Sequence, residues 1–348
     1  MAQHPIPSRS RSGSRSRSLR RGPAVRAAAS AVAAVAAVAV LAGCGSGSGS
    51  GSASASASGS GGSSAAAPSG SFPVKVTAAN GSVTVKSRPE HIVSLAPTLT
   101  EDLYAVGAGK QVVAVDADSD YPAGVPHTGL SGLTPNIEAI VRYQPDLVVA
   151  SQDSGGLVAG LRKLGVPVLI EPAVATLNGA YAQLQQVGQA TGHAAEAART
   201  VAGMKSSIAA TVRKAGSGHA DLSYFWELGA DPYYSATSKT FVGEIASLFG
   251  LRNIADKADK ATDGGYPELS QEYIVKARPQ LVFLTDGGPS NGGQSPAGVA
   301  RRPGWAEVPA VRNHQVIDLN ADIASRWGPR LPQLVAEIAQ AVEKASGR

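Results

Sequence analysis

Residues 136–151 read NIEAIVRYQPDLVVAS, and residues 270–285 read SQEYIVKARPQLVFLT. Set over one another at an offset of 134 positions, these 16-residue stretches share Glu, Ile, Val, Pro, Leu and Val without a gap. Each begins with an amphipathic helical pattern, passes a Pro-marked turn and ends in an apolar run suited to a buried strand. Each places one Glu near its helix start, Glu138 and Glu272. A helix–turn–strand unit used twice predicts two similar α/β lobes. Two such lobes make a cleft, and a cleft is where a ligand is held.

Outward from the first copy, the chain alternates strand and helix. Phe72–Thr77 and Ser82–Val85 read as a leading hairpin with Asn80-Gly81 as its turn. His91–Leu95 reads as a strand and Thr98–Val106 as a helix whose Thr-Leu-Thr-Glu-Asp start carries capping and dipole signals. Strands follow at Val112–Val115, Leu147–Ala150 and Val166–Ile170, with a helix near 156–164. This order predicts parallel βαβ units.

From His193 to Lys214 the pattern changes. Val201, Met204, Ile208 and Val212 recur at spacings of three and four in an Ala-rich segment. A 22-residue helix here would span about 33 Å. That length suits a strut between lobes better than a crossover within one, and Gly216-Ser-Gly218 ends it. Strand and helix then resume at Leu222–Trp226, 241–249, the second repeat, Val316–Leu319 and a last helix from Leu331.

The N-terminus speaks to compartment. Seven arginines precede the Ala/Val stretch Ala27–Val40, and Leu41-Ala42-Gly43-Cys44 follows. A basic region, a short apolar region and a small-residue cleavage site make a secretory signal. The segment resembles a bacterial lipoprotein signal, in which the Cys becomes the acylated first residue of the mature chain. Cys44 is the single cysteine, so no disulfide can form within the chain. Arg20-Arg21 leaves a twin-arginine route open. Residues 45–71 are Gly, Ser and Ala with one Pro, a flexible composition that reaches about 28 Å on average. The expected layout is a signal over 1–43, a lipidated Cys and linker over 44–71, a first lobe over 72–192, a connecting helix over 193–215 and a second lobe over 216–348.

The formal charge of +5 comes from 31 basic and 26 acidic residues, but residues 1–43 hold seven Arg and no acid. Without them the balance is 24 against 26, a net of −2. The basic character belongs to the targeting peptide and gives no ground for nucleic-acid binding.

Four segments, in this order, carry a specific resemblance: His91-Ile-Val-Ser-Leu-Ala-Pro-Thr-Leu-Thr-Glu101, Ser119-Asp-Tyr-Pro122, Asn136-Ile-Glu-Ala-Ile-Val with Pro145-Asp-Leu-Val, and Tyr266-Pro-Glu-Leu-Ser-Gln-Glu272. Over about residues 75–345 the chain resembles the substrate-binding lipoproteins of ABC importers that take up vitamin B12 and ferric siderophores. The resemblance implies an α/β fold of two similar Rossmann-like lobes joined by one long rigid helix, the class III periplasmic-binding-protein architecture. It implies a monomer without catalytic activity or resident cofactor. It further implies a cleft that takes cobalamin or a ferric siderophore, partnership with an ABC permease and ATPase, and attachment at Cys44 to the outer face of the cytoplasmic membrane.

The same resemblance assigns residues. Glu138 and Glu272 fall where each lobe presents a Glu to basic residues of the permease. Thr98, after a strand's carboxyl end, falls in the cleft. Tyr121, Tyr234 and Tyr266 match aromatic positions of corrinoid binders, and flat rings offer contact area at small entropic cost. Asp322 and Arg326 match a polar pair near the ligand, with Trp327 adjacent. The chain departs from the cobalamin pattern at Gly132-Leu133, where a Trp is expected.

Other motifs do not complete. Asp116-Ala-Asp118-Ser-Asp120 opens like a calcium loop, but Tyr121 replaces its Gly and His127 its final Glu. Gly107-Ala-Gly109 lacks a third Gly and follows a helix. His91, His127, His193, His219 and His314 show no i, i+3 or i, i+4 pairing, which argues against a zinc site. A lipid-anchored envelope hydrolase would need a paired acid and base in the cleft, and the sequence offers no convincing pair. A binder of free metal ions or haem is the other alternative.

Overall fold

The computed structural model describes residues 71–288 and 292–347. Cys44, the Ala27–Val40 stretch and all of the linker but Ser71 lie outside the described residues. The described residues belong to one compact unit. It opens with the antiparallel hairpin β1 (Val74–Ala78) and β2 (Gly81–Val85). Ala78 pairs with Gly81, so the turn is Ala79-Asn80, one residue earlier than expected. Gly81 follows with φ +97°, a left-handed conformation that costs Gly nothing. The Asn80 side chain donates to the Val168 carbonyl at 2.9 Å and accepts from the Ile170 amide at 3.2 Å, fastening the hairpin to the first sheet.

That sheet is parallel, in the order β4 (Val112–Val115), β3 (Ile92–Ser94), β5 (Leu147–Ala150), β6 (Val168–Ile170). Between its strands run α1 (Pro97–Ala105), α2 (Ile137–Val141) and α3 (Leu157–Lys163). After it come α4 (Leu177–Thr191) and α5 (Ala194–Ala215).

The second sheet contains β7 (Ser223–Ala230), β8 (Tyr233–Ser235), β9 (Arg252–Asn253), β10 (Glu268–Leu269), β11 (Leu281–Leu284) and β12 (Val316–Asp318). Its order is β10-β8-β7-β11-β12, with β9 parallel to the first residues of β7. Helices α6 (Phe241–Ser247), α7 (Gln271–Ala277), α8 (Pro296–Ala300), α9 (Pro309–Arg312), α10 (Ala321–Ser325) and α11 (Leu331–Ala345) complete this half.

The repeat holds position by position. α2 is capped by Asn136, whose side chain accepts from the Ala139 amide, and α7 by Ser270, which accepts from Tyr273. β5 and β11 begin and end at the same points of the two copies. Each runs parallel between an earlier and a later strand, β3 and β6 in one sheet, β7 and β12 in the other. The faces agree as well. Leu147, Val149, Leu281 and Phe283 point into one shared core, while Val148 and Val282 point to separate outer cores. Strands buried on both faces read as continuous apolar runs, as these do.

The shared core is continuous from one sheet to the other. It joins Ile92 and Leu169 to Tyr224, Trp226 and Phe283 through α4, α5 and α11. α5 packs on α4 at one side and on α11 at the other, burying Ala197, Val201, Met204 and Ile208. Burying a side chain such as Ile208 contributes about 1.5–3 kcal/mol. α4 and α5 approach closely because Gly188 has no side chain; a Cβ there would lie 2.3 Å from Ala197 Cβ. The Glu244 carboxylate of α6 accepts from the Leu177 amide at the start of α4, at 2.6 Å. A single helix crossing inside a continuous core is a stiff connection, since a hinge motion would open apolar surface to water.

Two sequence expectations change. α4 has no counterpart in the sequence reading, although Leu177, Ala180, Leu184 and Val187 form its buried stripe behind the Thr176 cap. Its Gly, Gln and Ala content hides that stripe. The start of α1 is not capped by a side chain, for its N-cap is Ala96. Thr98 through Leu103 are buried at six successive positions, so Glu101 and Asp102 enter the interior. No described helix is long and apolar enough to cross a membrane.

Candidate functional site

The carboxyl ends of β3, β4, β5 and β6 open toward the loop after α10. There a cavity of about 290 Å³ is lined by Pro97, Thr98, Asp118, Ser151 and Glu171 from the first half and by Ser325, Arg326 and Trp327 from the second. A smaller recess of about 180 Å³ continues on the other side of Ser325, against Trp226, Leu228, Thr285 and Asp322. Ligands of α/β sheets bind outside strand carboxyl ends. A larger cavity of about 500 Å³ lies between β2 and the amino ends of β5 and β6, beside Pro145, Asp146 and Pro167. Its position at the wrong end of the strands sets it apart from the site.

The wall of the smaller cavity is held by charge. Arg326 donates to the Glu101 carboxylate at 3.1 Å, to Asp120 at 3.0 Å, to Asp322 at 3.1 Å and to the Asp118 carbonyl at 3.3 Å. Arg330 donates to both oxygens of Glu101, at 2.8 and 2.5 Å. Burial alone would lower the pKa of Arg326, but its hydrogen bonds to Asp120 and Glu101 outweigh burial and raise the value. Glu101 is buried, and it ties α1 to a segment more than two hundred positions later. The guanidinium of Arg330 also stacks over Tyr121, 4.2 Å from the ring centre.

The expected site residues therefore divide. Thr98 and Trp327 line the cavity, and the Trp327 Nε1 donates to Gln183 at 2.7 Å. Asp322 and Arg326 pair with each other, so the guanidinium meets protein acceptors on every side that its contacts show. Tyr121 is exposed beside the Arg330 pair. Tyr234 and Tyr266 are 44% and 50% exposed and line neither recess. Tyr234 faces Glu268 across the antiparallel β8–β10 pair at the sheet edge, and Tyr266 precedes β10. Trp226 is core, against Phe283 at 5.4 Å. The departure at Gly132-Leu133 has a steric cause. A Cβ on Gly132 would lie 2.2 Å from the Leu95 carbonyl oxygen, while Leu133 is 72% exposed.

Glu138 and Glu272 are exposed at the second positions of α2 and α7. A hydrogen bond from its own amide, then one from Ser270, hold Glu272 below the ordinary carboxylate range.

Several polar residues of the site were not legible in sequence. Glu171 sits just past β6, is 3% exposed, and its Oε1 has no hydrogen-bond partner among the described residues. Burial pushes its pKa up to about 8. Asp102, also buried with an unpartnered oxygen, is raised by burial, then by Glu101 and Glu171. The strand-end rule that singled out Thr98 would have found Glu171. Nothing local marks Arg330. In the second half, Glu227 and Arg302 form a bidentate pair at 2.6 Å. Asp286 beside them is raised to about 7 by burial and by Glu227.

The sequence model of the family described as Periplasmic binding protein matches residues 92–323. An uncharacterized ABC transporter substrate-binding lipoprotein of Bacillus subtilis, YvrC, is 33% identical over 280 residues, 78% of this chain and 86% of that one. A cobalamin-binding protein of Halobacterium salinarum is 31% identical over 278 residues, 78% of this chain and 74% of its own. Among solved structures, the periplasmic heme-binding protein RhuT from Roseiflexus superimposes with a TM-score of 0.63 at 27% identity, covering 74% of this chain and 99% of that one.

Removing the Glu101 charge should cost more than any surface change. Glu101→Gln leaves two guanidiniums partly buried without their shared carboxylate, and breaking such a pair destabilises by about 3–5 kcal/mol. Urea unfolding of purified protein measures this. A loss below 1 kcal/mol would show that water already screens the pair.

Proposed function

The chain belongs to the periplasmic binding protein family, and we propose that its ligand is a corrinoid of the cobalamin class, held between the two halves. The protein is a substrate-binding component of an ABC importer and not an enzyme. In this reading residues 72–192 and 216–348 are the lobes, with 193–215 between them. The observation that carries the ligand assignment is the composition of the cavity wall. Its arginine, Arg326, is engaged by Glu101, Asp120 and Asp322, so little positive charge is left for an anionic chelate. A ligand with a broad ring and uncharged amide arms suits such a wall, with Trp327 offering aromatic surface. The halobacterial relative named as a cobalamin-binding protein supports the same choice.

Tryptophan fluorescence of the mature protein, titrated with cyanocobalamin, hemin and a ferric hydroxamate, tests the assignment. Saturable quenching strongest with cyanocobalamin is expected. Hemin binding at least tenfold tighter would move the chain to the haem carriers.

Glu138 and Glu272 are assigned to permease docking. They are exposed at equivalent points of the two repeats, so one partner surface would touch both halves, and such contacts set orientation and encounter rate. The double variant Glu138→Lys/Glu272→Lys should abolish uptake by cells while cyanocobalamin affinity stays within about twofold. Normal uptake would reduce both residues to helix-terminal charges.

Attachment is assigned to Cys44, from the Leu-Ala-Gly-Cys segment. A clickable fatty acid should label wild type in cells and leave Cys44→Ala unlabelled. Equal labelling of the two would remove the anchor.

A further inference from the structure

The cavity wall holds one polar group that the architecture does not use. Glu171 follows β6 directly, and its backbone amide donates to the Ala150 carbonyl at 2.9 Å, which fixes the residue at the strand's carboxyl end. Its side chain lines the cavity with Thr98, Ser325, Arg326 and Trp327, is 3% exposed, and leaves Oε1 without a hydrogen-bond partner among the described residues. Leaving a buried polar atom unsatisfied costs about 1–3 kcal/mol. The Glu171 carboxyl thus borders the cavity without a protein partner among the described residues to compete with a ligand.

We propose that the Glu171 carboxyl is a specificity-determining contact of the cleft, donating one hydrogen bond to an uncharged acceptor of the ligand such as an amide carbonyl oxygen. This rests on the corrinoid reading above and deepens it by naming the group that meets the ligand's amides.

The surroundings select the form of Glu171 and the type of acceptor. From α1, Glu101 and Asp102 are close enough to act on it or on each other electrostatically. From the loop after β4, Asp118 lines the same cavity. From the segment after α10 comes Arg326, already bonded to Glu101. Thr98, Ser151 and Trp327 are neutral. Among the described residues no free cation therefore stabilises a Glu171 carboxylate, and burial raises its pKa to about 8. Below that pH the carboxyl is neutral and can donate. An anionic acceptor at the same point would meet Asp118, whereas an amide oxygen brings no charge. The sign follows: affinity is constant while the carboxyl is protonated and falls as pH rises through about 8, by up to tenfold per pH unit.

The experiment uses the mature protein and cyanocobalamin as probe, with affinity measured from pH 6 to 9.5. Wild type should lose affinity above pH 8. Glu171→Gln keeps a donor that cannot ionise, so it should bind within about threefold of wild type at pH 6.5 and lose the alkaline fall. Glu171→Ala should bind about tenfold more weakly at pH 6.5, the weight of one hydrogen bond. In unliganded protein, Trp327 fluorescence should show a midpoint near pH 8 in wild type and none in Glu171→Gln. Thermal melts confirm that both variants fold. Glu171→Ala binding as tightly as wild type, or a wild-type affinity flat to pH 9.5, overturns the Glu171 assignment and leaves the corrinoid reading standing. Failure of wild type to bind cyanocobalamin at any pH overturns both.

Discussion

One buried carboxylate organises the site. Glu101 accepts from Arg326 and from both donor positions of Arg330, linking the first helix after β3 to the segment between α10 and α11. Burying three charged groups is expensive, and an ion pair of this kind repays the cost only when its geometry is good and every remaining donor finds an acceptor. Arg326 adds bonds from its two terminal nitrogens to Asp120, Asp322 and the Asp118 carbonyl, and Arg330 binds both Glu101 oxygens and stacks on the Tyr121 ring. The benefit is one of arrangement. These contacts set the loop after β4 and the segment after α10 against each other, and the cavity is what remains between them.

The continuous core does the corresponding work for the body. The two sheets share apolar packing through α4, α5 and α11, and the Gly188–Ala197 approach lets two helices lie close. A carrier built this way resists wide opening, because separation of its halves would expose buried side chains and unpair Glu101 together. Recognition must then come mostly from groups already in place around the cavity. Preorganised groups lose little freedom on binding, which favours affinity.

The chemistry of the wall follows from an imbalance of charge. Acids outnumber bases around the cavity, and the bases are committed to one another's partners. Where no cation is available, burial disfavours the ionised carboxylate, and it raises the pKa of Glu171 to about 8 and that of Asp102 well above the usual range. Asp286 repeats this in the other half, where Arg302 is claimed by Glu227.

The sequence by itself determined the elements and their twofold repetition. The apolar runs Leu147–Ala150 and Leu281–Leu284, their capped helices and the long stripe of Val201, Met204 and Ile208 are local patterns. Periods of two and 3.6 can be read without knowing what the faces touch. It marked one strand end, at Thr98, and through its family resemblance the pair Asp322–Arg326. Tertiary structure decided the rest. Glu101 looked like a helix-start charge and became the centre of an ion-pair network, because its partners stand 225 and 229 positions away. Tyr234 and Tyr266 match cleft aromatics, yet strand pairing places Tyr234 at a sheet edge and Tyr266 just before the edge strand β10. Glu171 became a buried acid because two separate halves close over it. Burial and long-range pairing are properties of packed surfaces, and no local pattern encodes which surfaces will meet.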